Sequence, residues 1–161
     1  MTAVVVRTSG LLDGPPSLVW ELLTDWERQS EWMLEMSDVV VTSPHREGVG
    51  VTAEATVRIG GIGTRDAVRV DVWEPHRHLA IVHEGWVGGR GDIRLEERGP
   101  QLTFMDWTEE LHPPWGPVGA AGLRLFRPLL ARTFRRDFAV LANIVRREAT
   151  RRYPGNNHDA S

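Results

Sequence analysis

The stretch LRLFRPLLARTFRRDFAVLANIVR, residues 123–146, carries large apolar side chains at intervals of three and four residues. The recurring positions are Phe126, Leu130, Phe134, Phe138, Leu141 and Val145. This spacing puts them on one face of an α-helix, and arginines cover much of the remaining surface. The pattern predicts a long amphipathic helix over about residues 120–151. Pro128 either kinks this helix or marks its effective start, because proline lacks the N–H of a helical hydrogen bond.

The middle of the chain alternates apolar and polar residues with a period of two, which is typical of half-buried β-strands. In GVTAEATVRIGG, residues 50–61, every second side chain is apolar, and TRDAVRVDVWEP, residues 64–75, repeats the pattern. Further strands are predicted over residues 3–8, 78–86, 89–98 and 101–111. Breaks rich in glycine and proline separate the later strands, and connections this short join antiparallel neighbours.

The segment LVWELLTDWERQSEWM, residues 18–33, contains Trp20, Trp26 and Trp32 at a spacing of six. Six residues turn about 600° in an α-helix, so the three rings cannot line one face of a straight helix. Asp25 can end one helix and cap the next, which predicts two short helices. In that arrangement Trp20 packs in the core, Trp26 is partly exposed, and Trp32 lies at the exit towards the next strand.

Together these elements predict an α+β domain. A strongly bent antiparallel sheet of about seven strands grips the long C-terminal helix, and the two short helices lie between strands 1 and 2. Any space left between the helix and the concave face of the sheet is an apolar cavity. The length favours a single domain over residues 1–152, followed by a polar, disordered tail over residues 153–161.

The overall composition argues against several classes of site. The chain has a formal net charge of -3 and no cysteine, so no global basic field attracts nucleic acid or an anionic membrane, and no thiolate chemistry is available. The six histidines show no tight ligand spacing, and we expect neither a metal nor a cofactor. No apolar run approaches the roughly 20 residues of a membrane span. These features favour a cytoplasmic location without integral membrane association. We expect either a monomer or a homodimer.

Four strings of the sequence resemble those of one family. VWELLTDWERQSEWM (19–33) is similar to its opening helix pair, VDVWEPHRHLAI (70–81) to a strand–proline–strand corner, and LTFMDWTEEL (102–111) to its last strand. The stretch 123–146 resembles its closing helix. With these strings, which span nearly the whole chain, the protein resembles the START-like, helix-grip superfamily (SRPBCC), in its polyketide cyclase/dehydrase-like branch.

The resemblance implies a hydrophobic pocket for a small polyketide-, aromatic- or lipid-like ligand. The candidate lining residues are Val57, Ile59, Val68, Val70 and Met105 on the sheet side, and Leu130, Phe134 and Phe138 on the helix side. Trp32 would lie close to where such pockets open and act as a gate. The alternative is that these residues simply close a solid core.

His83 is one candidate for chemistry inside the pocket. It shares the strand face of Leu79 and Ile81, which points inward if that face is buried. A histidine in an apolar wall can serve as a general base with a pKa near neutrality. The alternative is a histidine that is only hydrogen-bonded in the core or at the rim.

The last predicted strand supplies the other candidates. Both of its faces mix apolar and acidic residues, so the alternation alone leaves the register open. We place Met105, Trp107 and Glu109 inward, because Leu111 continues that face. Glu109 would then be a buried carboxylate able to shuttle a proton, and the Trp107 indole N–H a hydrogen-bond donor. The alternative is a solvated carboxylate at the strand end.

Two functions remain open at this point. The first is cyclisation or dehydration of a polyketide-type intermediate, in which His83, Glu109 and Trp107 supply the base and the donors for an enolate without a cofactor. The second is non-catalytic carriage or sensing of a lipid or another small hydrophobic molecule. In both, the partner is a hydrophobic small molecule and the ligand occupies the space between sheet and helix.

Overall fold

The observed architecture is the α+β fold that the sequence predicts. The computed structural model describes residues 3–59 and 61–155, and the side chain of Ile59 lies outside this description. In the described part the elements run in the order β1 (Val4–Leu12), α1 (Pro16–Thr24), a short 3-10 helix (Trp26–Glu31), β2 (Met36–Val41), β3 (Thr52–Ile59), β4 (Ile62–Glu74), β5 (His78–His83), β6 (Gly88–Gly99), β7 (Leu102–His112) and α2 (Gly116–Arg152). The polar tail expected over 153–161 falls mostly outside the described residues, since only 153–155 are included.

The seven described strands form one open antiparallel sheet in the order β1-β7-β6-β5-β4-β3-β2. The strands from β2 to β7 are therefore sequential neighbours, as their short connections predict, and β1 closes against β7. The register between β4 and β5 shifts between Val70 and Val72. Such a bulge increases the local twist and moves the following side chains to the other face.

Helix α2 packs on β1 and α1 and continues through Pro128. Its C-terminal part carries most of its buried residues, including Leu141 and Val145 at complete or nearly complete burial. The ring of Phe138 lies against Gly10 of β1, where a Cβ would come within 3.0 Å of the ring. Glycine at that position lets the helix approach the strand closely.

Three local expectations are wrong. Helix α2 begins at residue 116 rather than at about 120, and Phe126 is 59% exposed instead of buried. Three successive intervals of four residues drift by about 120° around a helix, so the series from Phe126 to Phe138 cannot hold a single face. Trp26, expected to be partly exposed, is buried, and its Nε1 donates a hydrogen bond to the Arg46 carbonyl oxygen at 3.0 Å.

Candidate functional site

A cavity of about 210 Å³ lies between the sheet and the N-terminal half of α2. Its apolar lining includes Trp26, Met33, Val57, Val68, Ile81, Leu130 and Phe134. Titratable side chains reach the cavity from both walls. Asp66, His83 and Glu109 come from strands, whereas Asp137 comes from α2. The site is thus an apolar chamber with two separate groups of polar side chains.

His83, the last residue of β5, lies between two carboxylates. Its Nδ1 is 2.7 Å from Asp66 Oδ2 on β4, and its Nε2 is 3.2 Å from Glu109 Oε2 on β7. The Trp107 indole Nε1 donates to Glu109 Oε1 at 2.7 Å. The His83, Asp66 and Glu109 side chains are 15%, 16% and 6% exposed. The four residues form one continuous hydrogen-bonded network on the sheet wall.

Gly91 allows this network to form. Strand β6 separates β5 from β7, and Gly91 pairs with Ile81 on one side and Glu109 on the other. A Cβ at Gly91 would lie 2.7 Å from Glu109 Oε1 and 3.2 Å from the Ile81 side chain. The missing side chain therefore leaves the space through which Glu109 reaches across β6 to His83.

The charge state of His83 differs from the expected one. Burial by itself lowers the pKa of His83, but the hydrogen bonds and negative charges of Asp66 and Glu109 outweigh burial and raise this pKa to about 10. At neutral pH the ring is an imidazolium that donates through both nitrogens. The expectation of a free general base with a pKa near neutrality is therefore wrong, and the groups able to accept a proton here are the carboxylates.

Asp66 is a member of the network that the sequence interpretation missed. It shares strand parity with Val68, which lines the same cavity. The alternation in TRDAVRVDVWEP thus contained the signal, because Asp66 lies on the same strand face as Val68 and Val70. The Asp66 Oδ1 atom is buried without a hydrogen-bond partner among the described residues.

A second acidic group, also missed, lies on the helix wall. Asp137 is 1% exposed, and its nearest polar neighbours are Glu35, Arg136 and the Leu34 backbone N–H. Arg136 also donates to Glu35. Burial first, and then the charge and hydrogen bond of Glu35, raise the pKa of Asp137 to about 7. Its spacing from Phe134 and Leu141, three and four residues, was the available signal.

The candidate lining residues divide into two sets. Val57, Val68, Leu130 and Phe134 line the cavity. Val70, Met105 and Phe138 do not: the first two are completely or nearly completely buried in the core, and the ring of Phe138 rests on β1. These three expectations are wrong because a side chain that faces inward from a strand or helix can pack in the solid core instead of lining the cavity. The side chain of Ile59 lies outside the described residues.

Trp32 lies below the cavity rather than at its mouth. The ring is 2% exposed and packs edge-on against Trp107, with centroids 5.7 Å apart. It borders a separate void of about 20 Å³ that also touches Gln29 and Glu109. The expected gate position is wrong because the 3-10 helix turns this ring into the core.

Neither a metal centre nor a membrane span is found in the described part of the chain. Among residues 3–59 and 61–155, no group of three His, Asp or Glu side chains is arranged to hold a metal ion. None of the helices described combines the length with the apolar sequence needed to cross a bilayer.

The fold has counterparts among solved structures. A protein of Thermus thermophilus superimposes with a TM-score of 0.76 at 18% identity, covering 91% of this chain and 99% of that one. The ZhuI aromatase/cyclase from a Streptomyces species gives 0.70 at 21% identity, over 95% and 98%. A START superfamily protein from Mycobacterium smegmatis gives 0.61 at 15% identity, over 84% and 98%. At these identities the likeness establishes the fold alone.

The sequence itself identifies the family. No curated protein matches the chain significantly. The family model described as polyketide cyclase/dehydrase and lipid transport, however, matches residues 3–147, which is nearly the whole chain. This match shows that the chain belongs to the polyketide cyclase/dehydrase and lipid transport family, and the open seven-stranded sheet and long C-terminal helix of the described part agree with it.

Proposed function

We propose that the chain binds a small hydrophobic molecule in the cavity and catalyses cyclisation and dehydration of a polyketide-type intermediate there. One observation carries this proposal: the His83 network opens onto an apolar chamber whose opposite wall presents the buried carboxyl group of Asp137. The volume of about 210 Å³ exceeds the roughly 150 Å³ of an engineered cavity that binds benzene. A ligand with one or two rings fits this space.

The two walls supply complementary chemistry for an aldol condensation. A carboxylate, Glu109 in this proposal, accepts a proton from a carbon next to a carbonyl group. The His83 imidazolium beside it stabilises the resulting enolate. The enolate carbon forms a bond to a second carbonyl carbon, and the oxygen of that carbonyl takes a proton from Asp137.

Dehydration then completes the reaction. A second carbon-bound proton passes to a carboxylate, and the new hydroxyl group leaves as water with a proton from a carboxylic acid. The protons given and taken balance, so the net change is one carbon–carbon bond formed and one water lost. Asp137 suits the acid role because its pKa of about 7 keeps a substantial fraction protonated at neutral pH.

Non-catalytic carriage of a lipid or small molecule is the second candidate. The observation that favours it is the completeness of the His83 network. Both ring nitrogens of His83 and both oxygens of Glu109 already have partners within the protein. A network satisfied in this way can hold strands β4, β5 and β7 together without taking part in a reaction.

A triketone substrate separates the two functions. Heptane-2,4,6-trione closes to orcinol with loss of one water, and absorbance or chromatography follows the product. We expect the chain to accelerate this closure and Glu109→Gln or Asp137→Asn to reduce the acceleration by about 100-fold or more. Glu110→Gln, the outward neighbour on β7, is the matched control and should retain it.

Ligand retention completes the test. Native mass spectrometry of the freshly purified chain reports any bound hydrophobic molecule, and titration with the triketone reports binding without turnover. Binding with no acceleration over the uncatalysed closure favours the carrier. If the chain retains nothing, binds no triketone and leaves the closure rate unchanged, the proposed cavity function is wrong.

A further inference from the structure

The N-terminal half of α2, residues 116–136, leaves a row of large apolar side chains in solvent. Val118, Leu125, Phe126 and Leu129 are between 50% and 82% exposed. At about 100° per residue, these four positions fall within an arc of about 100° on one side of the helix. We call this row the apolar stripe. Buried residues in the same half are confined to Ala120 and Leu130.

Two exposed tryptophans extend the apolar stripe towards the cavity. Trp115 immediately precedes α2, and its ring packs edge-on against Trp86 with centroids 5.4 Å apart. Both rings are more than half exposed. Trp86 and Leu123 also line the cavity, so the exposed apolar surface is continuous with the rim of the chamber.

The charged side chains of the segment that carries the apolar stripe are all positive. Residues 113–136 contain five arginines and no acidic residue, in a chain whose formal net charge is -3. Four of the five have no carboxylate within 4.0 Å among the described residues; they are Arg124, Arg127, Arg132 and Arg135. Near the C-terminal end of α2, by contrast, three of the four arginines pair with carboxylates, namely Arg146, Arg151 and Arg152.

We propose that this face of α2 docks on the surface of an anionic lipid bilayer. A basic helix with exposed apolar and aromatic side chains lies in the interface plane, with its apolar side in the acyl boundary and its cations at the headgroups. Tryptophan prefers that boundary because its ring is apolar and its N–H is polar. Docking would set the rim of the cavity against the bilayer.

The same features argue against a second copy of the chain as the occupant. In a two-fold symmetric contact, each residue meets the same surface of its partner. Two such faces would bring arginines against arginines with no acidic residue between 113 and 136 to relieve the repulsion. The proposal does not depend on what happens in the cavity, since docking uses only exposed side chains of α2 and of the two tryptophans, Trp86 and Trp115.

Vesicle flotation with the full chain tests the proposal. We expect binding to phosphatidylcholine vesicles that contain about 30% phosphatidylglycerol, weak binding to pure phosphatidylcholine, and loss of binding at high salt. Leu125→Ser combined with Phe126→Ser should weaken binding at least about tenfold. Leu11→Ser combined with Val40→Ser, which removes apolar side chains of the sheet that are also more than half exposed, is the matched control and should not.

Two further measurements test the contribution of the arginines to vesicle binding and the depth of Trp115 in the bilayer. Arg124→Gln with Arg132→Gln should weaken vesicle binding about tenfold or more, whereas Arg58→Gln with Arg98→Gln removes the same charge and should have a much smaller effect. The emission of Trp115 is obtained as the difference in fluorescence between the native chain and Trp115→Phe. Brominated lipid should quench this emission, because docking places the Trp115 ring at the acyl boundary of the bilayer.

Three results would overturn the proposal. The first is absence of binding to anionic vesicles, or equal losses in test and control variants. The second is a dimer, seen by light scattering, that the Leu125/Phe126 substitutions dissociate. The third is binding of a poly-glutamate peptide that depends on the same residues while vesicles do not bind, which would assign the face to an acidic protein.

Discussion

The two walls of the cavity are built differently. On the sheet wall, strands paired on both sides hold Trp107 and Glu109, and each polar group of the His83 network except one oxygen of Asp66 has a partner. On the helix wall, α2 buries little over residues 116–136 and exposes much apolar surface. Strand pairing therefore fixes the polar groups of the sheet wall in position. The N-terminal half of α2, by contrast, covers the cavity and exposes apolar side chains on its outer side.

Because of this difference, we expect residues that stabilise the fold to lie on the sheet wall and residues that bind the bilayer to lie on the outer side of the helix wall. Residues of the sheet wall are expected to contribute several kcal/mol to folding, because truncating a packed aromatic leaves a cavity. Exposed residues of the helix wall are expected to contribute almost nothing, because their apolar area remains in water. Substitutions on the two walls should therefore produce effects of very different size.

The largest effect is expected at Trp107. Its ring is 2% exposed and packs against Trp32 and Phe134, so Trp107→Ala should lower the free energy of unfolding by about 3–5 kcal/mol. Trp86→Ala removes the same side chain from the exposed rim and should cost about 1 kcal/mol or less. Urea denaturation measures both. Equal losses would show that the rim is packed as tightly as the sheet wall.

The next effect is a pH dependence carried by His83. Its pKa is about 10 in the folded chain and 6.5 without the fold. A raised pKa means that the stabilisation is fully present below about pH 6.5 and is lost as the pH rises through about 10. We expect the native chain to lose a few kcal/mol of unfolding free energy over this interval relative to His83→Gln.

The matched control for that pH dependence is His112→Gln. His112 pairs with Glu110 at the surface, and its side chain is 51% exposed. This variant should keep the native slope between pH 6.5 and 10. Nitrogen chemical shifts of the His83 ring should also report an imidazolium at pH 8. A neutral ring at that pH would show that the two carboxylates do not hold the proton.

Periodicity in the sequence was sufficient for the fold and for part of the site. Alternation placed His83 on a strand, and the apolar intervals of residues 123–146 predicted the long helix. Both signals are strong because one face of each element has to be buried, which is a property of the element itself. The choice of Glu109 over its neighbours depended on Leu111 continuing the inward face.

The rest of the site depends on contacts between distant elements. Nothing local in the sequence shows that Gly91 makes room for Glu109, or that two carboxylates 43 residues apart enclose one histidine. Asp66 and Asp137 were overlooked for another reason: acidic residues on an apolar face are normally solvated. The sequence shows that both residues occupy positions within the apolar periodicity. It does not show the hydrogen-bonding partners, contributed by distant elements, that allow a carboxylate to be buried there.

A slightly smaller effect, of the same sign but at lower pH, is expected from Asp137 on the helix wall. Its pKa rises from 3.8 to about 7 on folding, so its contribution to stability is present below about pH 4 and is lost as the pH rises through about 7. Asp137→Asn should therefore raise the unfolding free energy at pH 8 by a few kcal/mol relative to its effect at pH 4.

Asp38→Asn provides the control for Asp137. Asp38 is exposed on β2 and should show the same stability as the native chain at both pH values. Paired urea denaturation at pH 4 and pH 8 measures the difference between the two variants. A loss of stability at pH 8 in Asp137→Asn would mean that the ionised carboxylate is held favourably by Arg136 and the Leu34 N–H, and that it is not poised as an acid.

The smallest effect, and the sharpest test of the contrast between the walls, is expected at Leu125. This side chain is 82% exposed, so Leu125→Ser removes almost no buried area and should change the unfolding free energy by less than about 0.5 kcal/mol. Leu141→Ser, at a completely buried position of the same helix, should cost several kcal/mol. Unchanged stability together with weakened vesicle binding would assign Leu125 to docking alone. A large loss of stability would instead mean that the chain itself covers the apolar stripe, and the contrast between a structural sheet wall and an outward-facing helix wall would fail.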